Sequence, residues 1–167
     1  MDTTIRRLVV AEATALASFA EFCFREAFAT HFEAGSMGAL CTAAFARPVM
    51  EKLLLDGVWL AGDWLGYIAL GAVPCPIPEL AGPSMELARL YVPRSSQGMG
   101  IADQLMGQFL IEVAERQGRS IWLQAYEGSP RALAFYRRWR CLDFGPYVVT
   151  WQGLALPHRL LGRNLAC

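Results

Sequence analysis

Lysine is almost absent from this chain. Lys52 is the only one, and arginine carries the rest of the basic charge. Fifteen basic residues face fifteen acidic ones, so the formal net charge is zero. A general nucleic-acid surface carries a basic excess, and none exists here. Histidine is scarce too, with only His31 and His158. Cys23, Cys41, Cys75, Cys141 and Cys167 are odd in number, widely scattered and never in a CxxC pair. That pattern argues against a zinc site and fits reduced thiols in a cytoplasm. No apolar run approaches the length of a membrane span. The N-terminus lacks the basic region, apolar core and small-residue cleavage site of a secretory signal. The expected setting is therefore cytoplasmic, with no metal, no nucleic acid and no membrane among the partners.

What is present suits one globular domain over 1–167. The 167 residues are long enough for a substantial core, and 54% of them are hydrophobic, including five Trp and nine Phe. Thr3 to Val10 alternates weakly and reads as a first strand. Ala11 to about Phe32 is helical, with Leu16, Phe19, Cys23 and Ala27 on one stripe and Phe24 and Phe28 beside it. These aromatics are either core or the wall of a ligand pocket. His31 reads as a surface or capping group. Gly35 and Ser36 break the helix, Met37 to Phe45 forms a short one, and Pro48 opens another at N1, over Val49 to Leu55. Asp56-Gly57 ends it. Val58 to Ala61 and Trp64 to Val73 form a hairpin about Gly62-Asp63. Pro74 to Ser84 holds four prolines, Pro74, Pro76, Pro78 and Pro83. Its length suggests a flap or an oligomer contact, such as a homodimer would use.

The chain is organised around Glu86 to Gly118. Glu86 to Val92 is a strand, which Pro93 ends. Ile101, Leu105, Phe109 and Val113 recur every four residues and place one helix face inward. Gly118 supplies the C-terminal stop. Between strand and helix lies Gln97-Gly98-Met99-Gly100-Ile101-Ala102. Its small residues let the backbone approach a ligand, and the helix start offers unpaired N–H groups. Such a junction is an anion site, most naturally for phosphate. The alternative is a plain turn with glycines for packing. A dinucleotide fingerprint would need a glycine where Asp103 stands, and a P-loop would need Gly-Lys-Ser/Thr. Downstream, Ser120 to Tyr126 alternates as a strand. Ser129 and Pro130 read as N-cap and N1 of a helix over Arg131 to Trp139. Asp143 to Trp151 is a further strand, Gln152-Gly153 a turn, and Leu154 to Leu165 a last segment.

Two blocks carry a resemblance. Gln97, Gly100 and Ala102 meet the pattern Gln/Arg-x-x-Gly-x-Gly/Ala, after a strand reading Glu-Leu-x-Arg-Leu-Tyr-Val. Ser129, Ala132, Phe135 and Tyr136 follow Trp122-Leu-Gln-Ala-Tyr-Glu127 at the matching separation. Both blocks resemble the GNAT superfamily of N-acetyltransferases, over about Glu86 to Gly145. Phe24, Phe28 and Phe45 are loosely similar to a branch that includes bacterial polyamine acetyltransferases. Two positions depart from the family pattern. Ser129 replaces an Asn that bonds the pantetheine arm, and Arg140-Cys141 replaces Gly-Phe after the helix.

The resemblance implies an α+β, three-layer αβα fold. Its sheet would be mixed, mostly antiparallel and twisted, splayed between strands four and five. Acetyl-CoA, the co-substrate, would enter the splay. Its pantetheine would pair with Leu90, Tyr91 and Val92, and a backbone N–H there would polarise the thioester carbonyl. Its pyrophosphate would rest on Gln97, Gly98, Met99, Gly100, Ile101 and Ala102, with Ser129 near the arm. Tyr136 matches the family's general acid, against the alternative of a buried core tyrosine. Glu86 is the candidate base through a water, against a solvated strand-end acid, and Glu127 is a weaker candidate. Trp122 and Tyr126 either line the acceptor channel or pack. The implied activity is transfer of an acetyl group to a primary amine of a small molecule or peptide in a ternary complex. The competing readings are a non-catalytic acyl-CoA-binding regulator and a partner-binding domain on the same fold.

Overall fold

The computed structural model describes residues 3–151 and 153–166. Gln152, expected in a turn, and Cys167 lie outside the described residues. In chain order the elements are β1 (Ile5–Arg7), α1 (Ala13–Phe28), α2 (Ala34–Ala44), α3 (Arg47–Asp56), β2 (Val58–Ala61), β3 (Gly66–Gly71), β4 (Ser84–Tyr91), α4 (Ile101–Glu115), β5 (Ser120–Tyr126), α5 (Pro130–Arg138), β6 (Leu142–Trp151) and β7 (Leu154–Asn164). The strands form a seven-stranded, mixed and mostly antiparallel sheet flanked by helices, an α+β fold. The chain divides into two compact units. The first joins the residues up to Gly71 with Arg89–Ile111, and the second joins Ala72–Ala88 with the chain from Glu112 onward. β4 and α4 each pass from one unit into the other. Among the described residues, no helix is long and apolar enough to cross a membrane.

In the first unit, β1, β2 and β3 form an antiparallel meander. All four residues of β2 and five of six in β3 are buried, so apolar side chains point both ways, as covering on both faces requires. α3 packs on β2 and β3, and α1 on α3. The α1 stripe buries Ala13, Leu16, Ala20, Cys23 and Phe24. The first strand is shorter than its alternation suggests, because the chain turns into a 3-10 segment at Val10–Glu12. Gly35 and Ser36 do not break a helix; they lie in the first turn of α2. Glycine there costs about 1 kcal/mol. Burial of Met37, Leu40, Cys41 and Ala44 offsets it. Pro48 falls one position beyond N1, since α3 starts at Arg47. Trp64 belongs to a turn and not to β3. It sits at φ 59°, its ring edge-on to Phe19 at 5.1 Å. Ring packing thus outweighs the strand preference of its side chain.

In the second unit, β4 and β5 pair in parallel over three rungs, Ser84↔Ser120 to Glu86↔Trp122. β5 then runs on to Tyr126, held by β7 along its whole length. Among the described residues, the β4–β5 pairing ends with those rungs. The proline-rich segment before β4 is pinned like a strap. Ala81 N–H donates to Asn164 Oδ1 at 2.8 Å, Ser120 Oγ donates to Ala81 C=O at 2.6 Å, and Ile77 is buried. A Cβ on Gly162 would meet Leu80 Cδ1 at 2.6 Å, which shows how closely the strap lies on β7.

α4 ends in a Schellman motif. Gly118 N–H reaches Val113 C=O at 2.8 Å and Gln117 N–H reaches Ala114 C=O at 2.9 Å. The left-handed residue is Gln117, at φ 60°, one position before the expected glycine. Gly118 is needed for space, because a Cβ would lie 2.6 Å from Val113 Cγ1. A second left-handed position follows α5. Arg140 has φ 61° and an exposed side chain, at the place where the resembling family carries glycine. Left-handed backbone costs a non-glycine residue roughly 1–2 kcal/mol. Arg140→Gly is therefore expected to raise stability by about 0.5–1 kcal/mol, after the entropy that glycine adds to the unfolded chain. An unchanged or lower midpoint in urea denaturation would contradict this account.

Candidate active site

The first unit contributes the end of β4 and the loop that leads into α4. Leu90, Tyr91 and Val92 are half-buried. A Cβ on Gly66 would meet Tyr91 C=O at 3.0 Å, so β3 begins directly against this stretch. After Pro93 the chain makes a 3-10 turn at Arg94–Ser96, anchored when Arg94 N–H donates to Glu26 Oε2 at 2.6 Å. Gln97 Nε2 then folds back and donates to Val92 C=O at 3.0 Å. Its side chain braces the loop on the strand. Gly98 and Gly100 lie at φ 83° and 76°. A Cβ on Gly98 would meet nothing within 4 Å, and one on Gly100 only Gln104 Nε2 at 3.9 Å. The glycines therefore serve conformation and access, not packing. Ile101 is buried, so only its backbone could serve a ligand; Met99 is exposed. The start of α4, a 15-residue helix, presents backbone N–H groups at its positive end, and such an end fits a phosphate.

Beside this strand end lies an aromatic cluster. Arg89 and Tyr91 share a face of β4 by alternation. Tyr67 stacks on Tyr91 at 5.8 Å, and Phe19 meets Tyr67 edge-on at 6.0 Å. Arg89 lies over the Phe45 ring at 5.1 Å and donates from Nη2 to Ala44 C=O at 3.1 Å. Burial pushes the Tyr91 phenol up to about 12, against the pull of Arg89. Burial drives Tyr67 higher still, again opposed by Arg89. A cation flanked by apolar residues in the second half of β4 is the signal by which Arg89 stands out in the sequence.

The second unit contributes β5, α5 and the first half of β4. Tyr136 is buried on α5, 5.3 Å from the Phe135 ring, and its carbonyl accepts Cys141 N–H at 3.0 Å. Ser129 occupies the N-cap position, but its side chain makes no capping bond. At φ −114° and ψ 77° its backbone instead closes the turn, donating to Tyr126 C=O at 3.1 Å. The Ser–Pro signal places the helix start correctly and the cap chemistry wrongly. Trp122 is fully buried and belongs to the core, not to a channel. Tyr126 is half-buried, with its ring edge-on to His158 at 5.7 Å and folded over Gly128, where a Cβ would touch it at 2.5 Å. Glu86 is half-buried at the last parallel rung, and its Oε2 accepts Val73 N–H at 3.1 Å. Glu127 lies 3.7 Å from Arg159, a neighbour that Arg159 shares with its closer partner Asp143 at 2.9 Å.

The model of the acetyltransferase (GNAT) family matches residues 16–140. The chain belongs to this family. Solved structures agree on the fold. A GCN5-related N-acetyltransferase from Rhodopseudomonas palustris superposes with a TM-score of 0.78 at 14% identity, covering 99% of this chain and 97% of that one. The PaiA N-acetyltransferase of Thermoplasma acidophilum, solved with coenzyme A, gives 0.75 at 14% identity, covering 99% and 100%. YncA of Salmonella typhimurium, solved with its cofactor acetyl-CoA, gives 0.69 at 15% identity, covering 99% and 95%. In GNAT terms the first unit holds the strand end and loop, and the second holds Tyr136, Glu86 and Ser129. Because Ser129 makes no cap bond, Ser129→Ala is expected to shift stability by no more than about 0.5 kcal/mol, within the range of ordinary surface substitutions. A loss near the roughly 1 kcal/mol of a true N-cap, read from thermal melts, would restore the capping role.

Proposed function

We propose that this GNAT protein moves the acetyl group of acetyl-CoA to a primary amine by direct attack in a ternary complex. The observation that carries the reading is the loop after β4, with its two left-handed glycines and open Cβ positions at the start of α4. It suits a pyrophosphate and has no packing explanation. Gln97 braces it, Gly98 to Ala102 supply N–H donors, and Leu90 to Val92 supply the strand edge for the pantetheine arm. Ser129 would sit by that arm in place of asparagine.

The chemistry needs three services. The amine must lose a proton, because only a free lone pair attacks the thioester carbon. Glu86, held by Val73 N–H, accepts that proton through a water. As the C–N bond forms, the carbonyl oxygen gains charge, and a backbone N–H in Leu90 to Val92 stabilises it. As the C–S bond breaks, the Tyr136 phenol gives its proton to the departing thiolate. Glu127 is the poorer base because Arg159 stands beside it. The competing reading, an acyl-CoA-binding regulator, predicts cofactor binding without thiol release, and an amine panel with a thiol-detecting reagent separates the two.

Gly100→Asp places a side chain at a left-handed position and a negative charge beside the pyrophosphate, so acetyl-CoA binding should be lost while the fold survives. Unchanged affinity in calorimetry would overturn the loop assignment. Tyr136→Phe removes only the hydroxyl. Its kcat at saturating amine should fall by roughly 10-fold or more, on the scale of general acids. Acetyl-CoA affinity should hold, because the phenol acts on charge that develops late. A wild-type kcat, with chemistry limiting, would return Tyr136 to the core.

A further inference from the structure

Two polar groups in the first unit are buried without a partner: the Tyr67 hydroxyl and Arg89 Nη1. Tyr67 is fully buried. Buried donors of this kind are ordinarily paired, and an orphan costs on the scale of a lost hydrogen bond. Arg89 adds a charge to the problem. Among the described residues no carboxylate pairs with it; its other contacts are the Ala44 carbonyl and the face of Phe45. Arg89 acts on both Tyr67 and Tyr91 through its charge and makes a long, weak hydrogen-bonding contact with the Tyr67 hydroxyl, which places the three groups together and leaves neither donor with a close partner. The surrounding rings are apolar: Phe19 on Tyr67, and Phe24 on Phe45 at 5.7 Å.

We propose that Arg89 and Tyr67 receive a carboxylate, and that the acceptor is a small apolar molecule carrying both an amine and a carboxylate, such as an α-amino acid. The proposal rests on the transferase reading above for the amine, and on the two orphan donors for the acid. Two donors match the two oxygens of a carboxylate, and a guanidinium recognises that planar group better than any other cation does. The position fits as well. Arg89 precedes Leu90 to Val92 by one to three residues, roughly 3–10 Å along a strand. A carboxylate at Arg89 therefore lies a short molecule's length from the carbonyl under attack. The aromatic rings are apolar and offer nothing to a second charged group.

The test uses matched pairs that differ only in the carboxylate: L-phenylalanine and 2-phenylethylamine, L-leucine and 3-methylbutylamine, L-methionine and 3-(methylthio)propylamine. Thiol release gives kcat/KM for each. Calorimetry gives the affinity of the N-acetylated form of each, which needs no turnover. The carboxylate member of at least one pair should win by roughly 10-fold or more in both readouts, on the scale of charge-assisted hydrogen bonds. Arg89→Met should erase that advantage. Tyr67→Phe should reduce it several-fold and should change the melting temperature little, since the hydroxyl it removes makes no close hydrogen bond. Equal affinities within every pair, no binding by any carboxylate member, or an advantage that survives Arg89→Met would overturn the proposal. Discrimination in binding without thiol release from any amine would overturn the transferase reading and leave the carboxylate site standing. Thiol release without discrimination would do the reverse.

Discussion

Peptide groups of a strand must find partners, and β4 is where this fold leaves the question open. Its parallel ladder with β5 lasts three rungs and then stops. Unpaired backbone groups are costly in a dry interior and inexpensive where a polar ligand takes them up. The same principle governs the next residues. Pro93 has no N–H to pair, Gln97 supplies a side-chain donor to the Val92 carbonyl, and Gly98 and Gly100 give the loop its left-handed backbone. From Glu86 to Ala102 the chain is thus built around backbone polarity, with side chains serving mainly to hold its shape. GNAT structures at 14% identity share the fold.

Much of that was legible in the sequence, for physical reasons. β5 could be read residue for residue because strict alternation has period two and both faces are packed. α4 followed from its four-residue spacing, and the loop from glycines between a strand and a helix. What escaped was decided by contacts outside the local window. Trp64 looks like strand and becomes turn, because Phe19 offers its ring a place. Gly35 and Ser36 look like breakers and enter a helix whose later turns are buried. Ser129 looks like a cap, yet its hydroxyl makes no capping bond. Arg89 and Tyr67 lie 22 residues apart in sequence, and no periodicity links a guanidinium on one strand to a phenol on another.

The departures from local preference share a direction. Arg140 and Gln117 hold left-handed backbone without being glycine, and Arg89 holds a charge among rings. The two backbone cases sit at helix ends, where the chain must reverse within a few residues to begin the next strand. They serve topology. Arg89 holds the last carbonyl of α2 through Nη2, but its Nη1 meets no close acceptor, which is why its placement reads as chemical as well as architectural. Cys23 and Cys141 are the opposite case: burial pushes their thiols up to about 12 and about 11, and such groups are inert filling.

The single lysine, at the surface of α3, has a meaning for a protein that handles an activated thioester. Thioesters acylate any free amine they meet, without a catalyst, and most enzyme surfaces present many. Here arginine has taken nearly every basic position, and a guanidinium is a poor nucleophile. Solubility and ion pairing on helix surfaces are kept, as between Arg25 and Glu21 or Arg47 and Glu51, while the count of side-chain amines open to damage by the co-substrate falls to Lys52 alone.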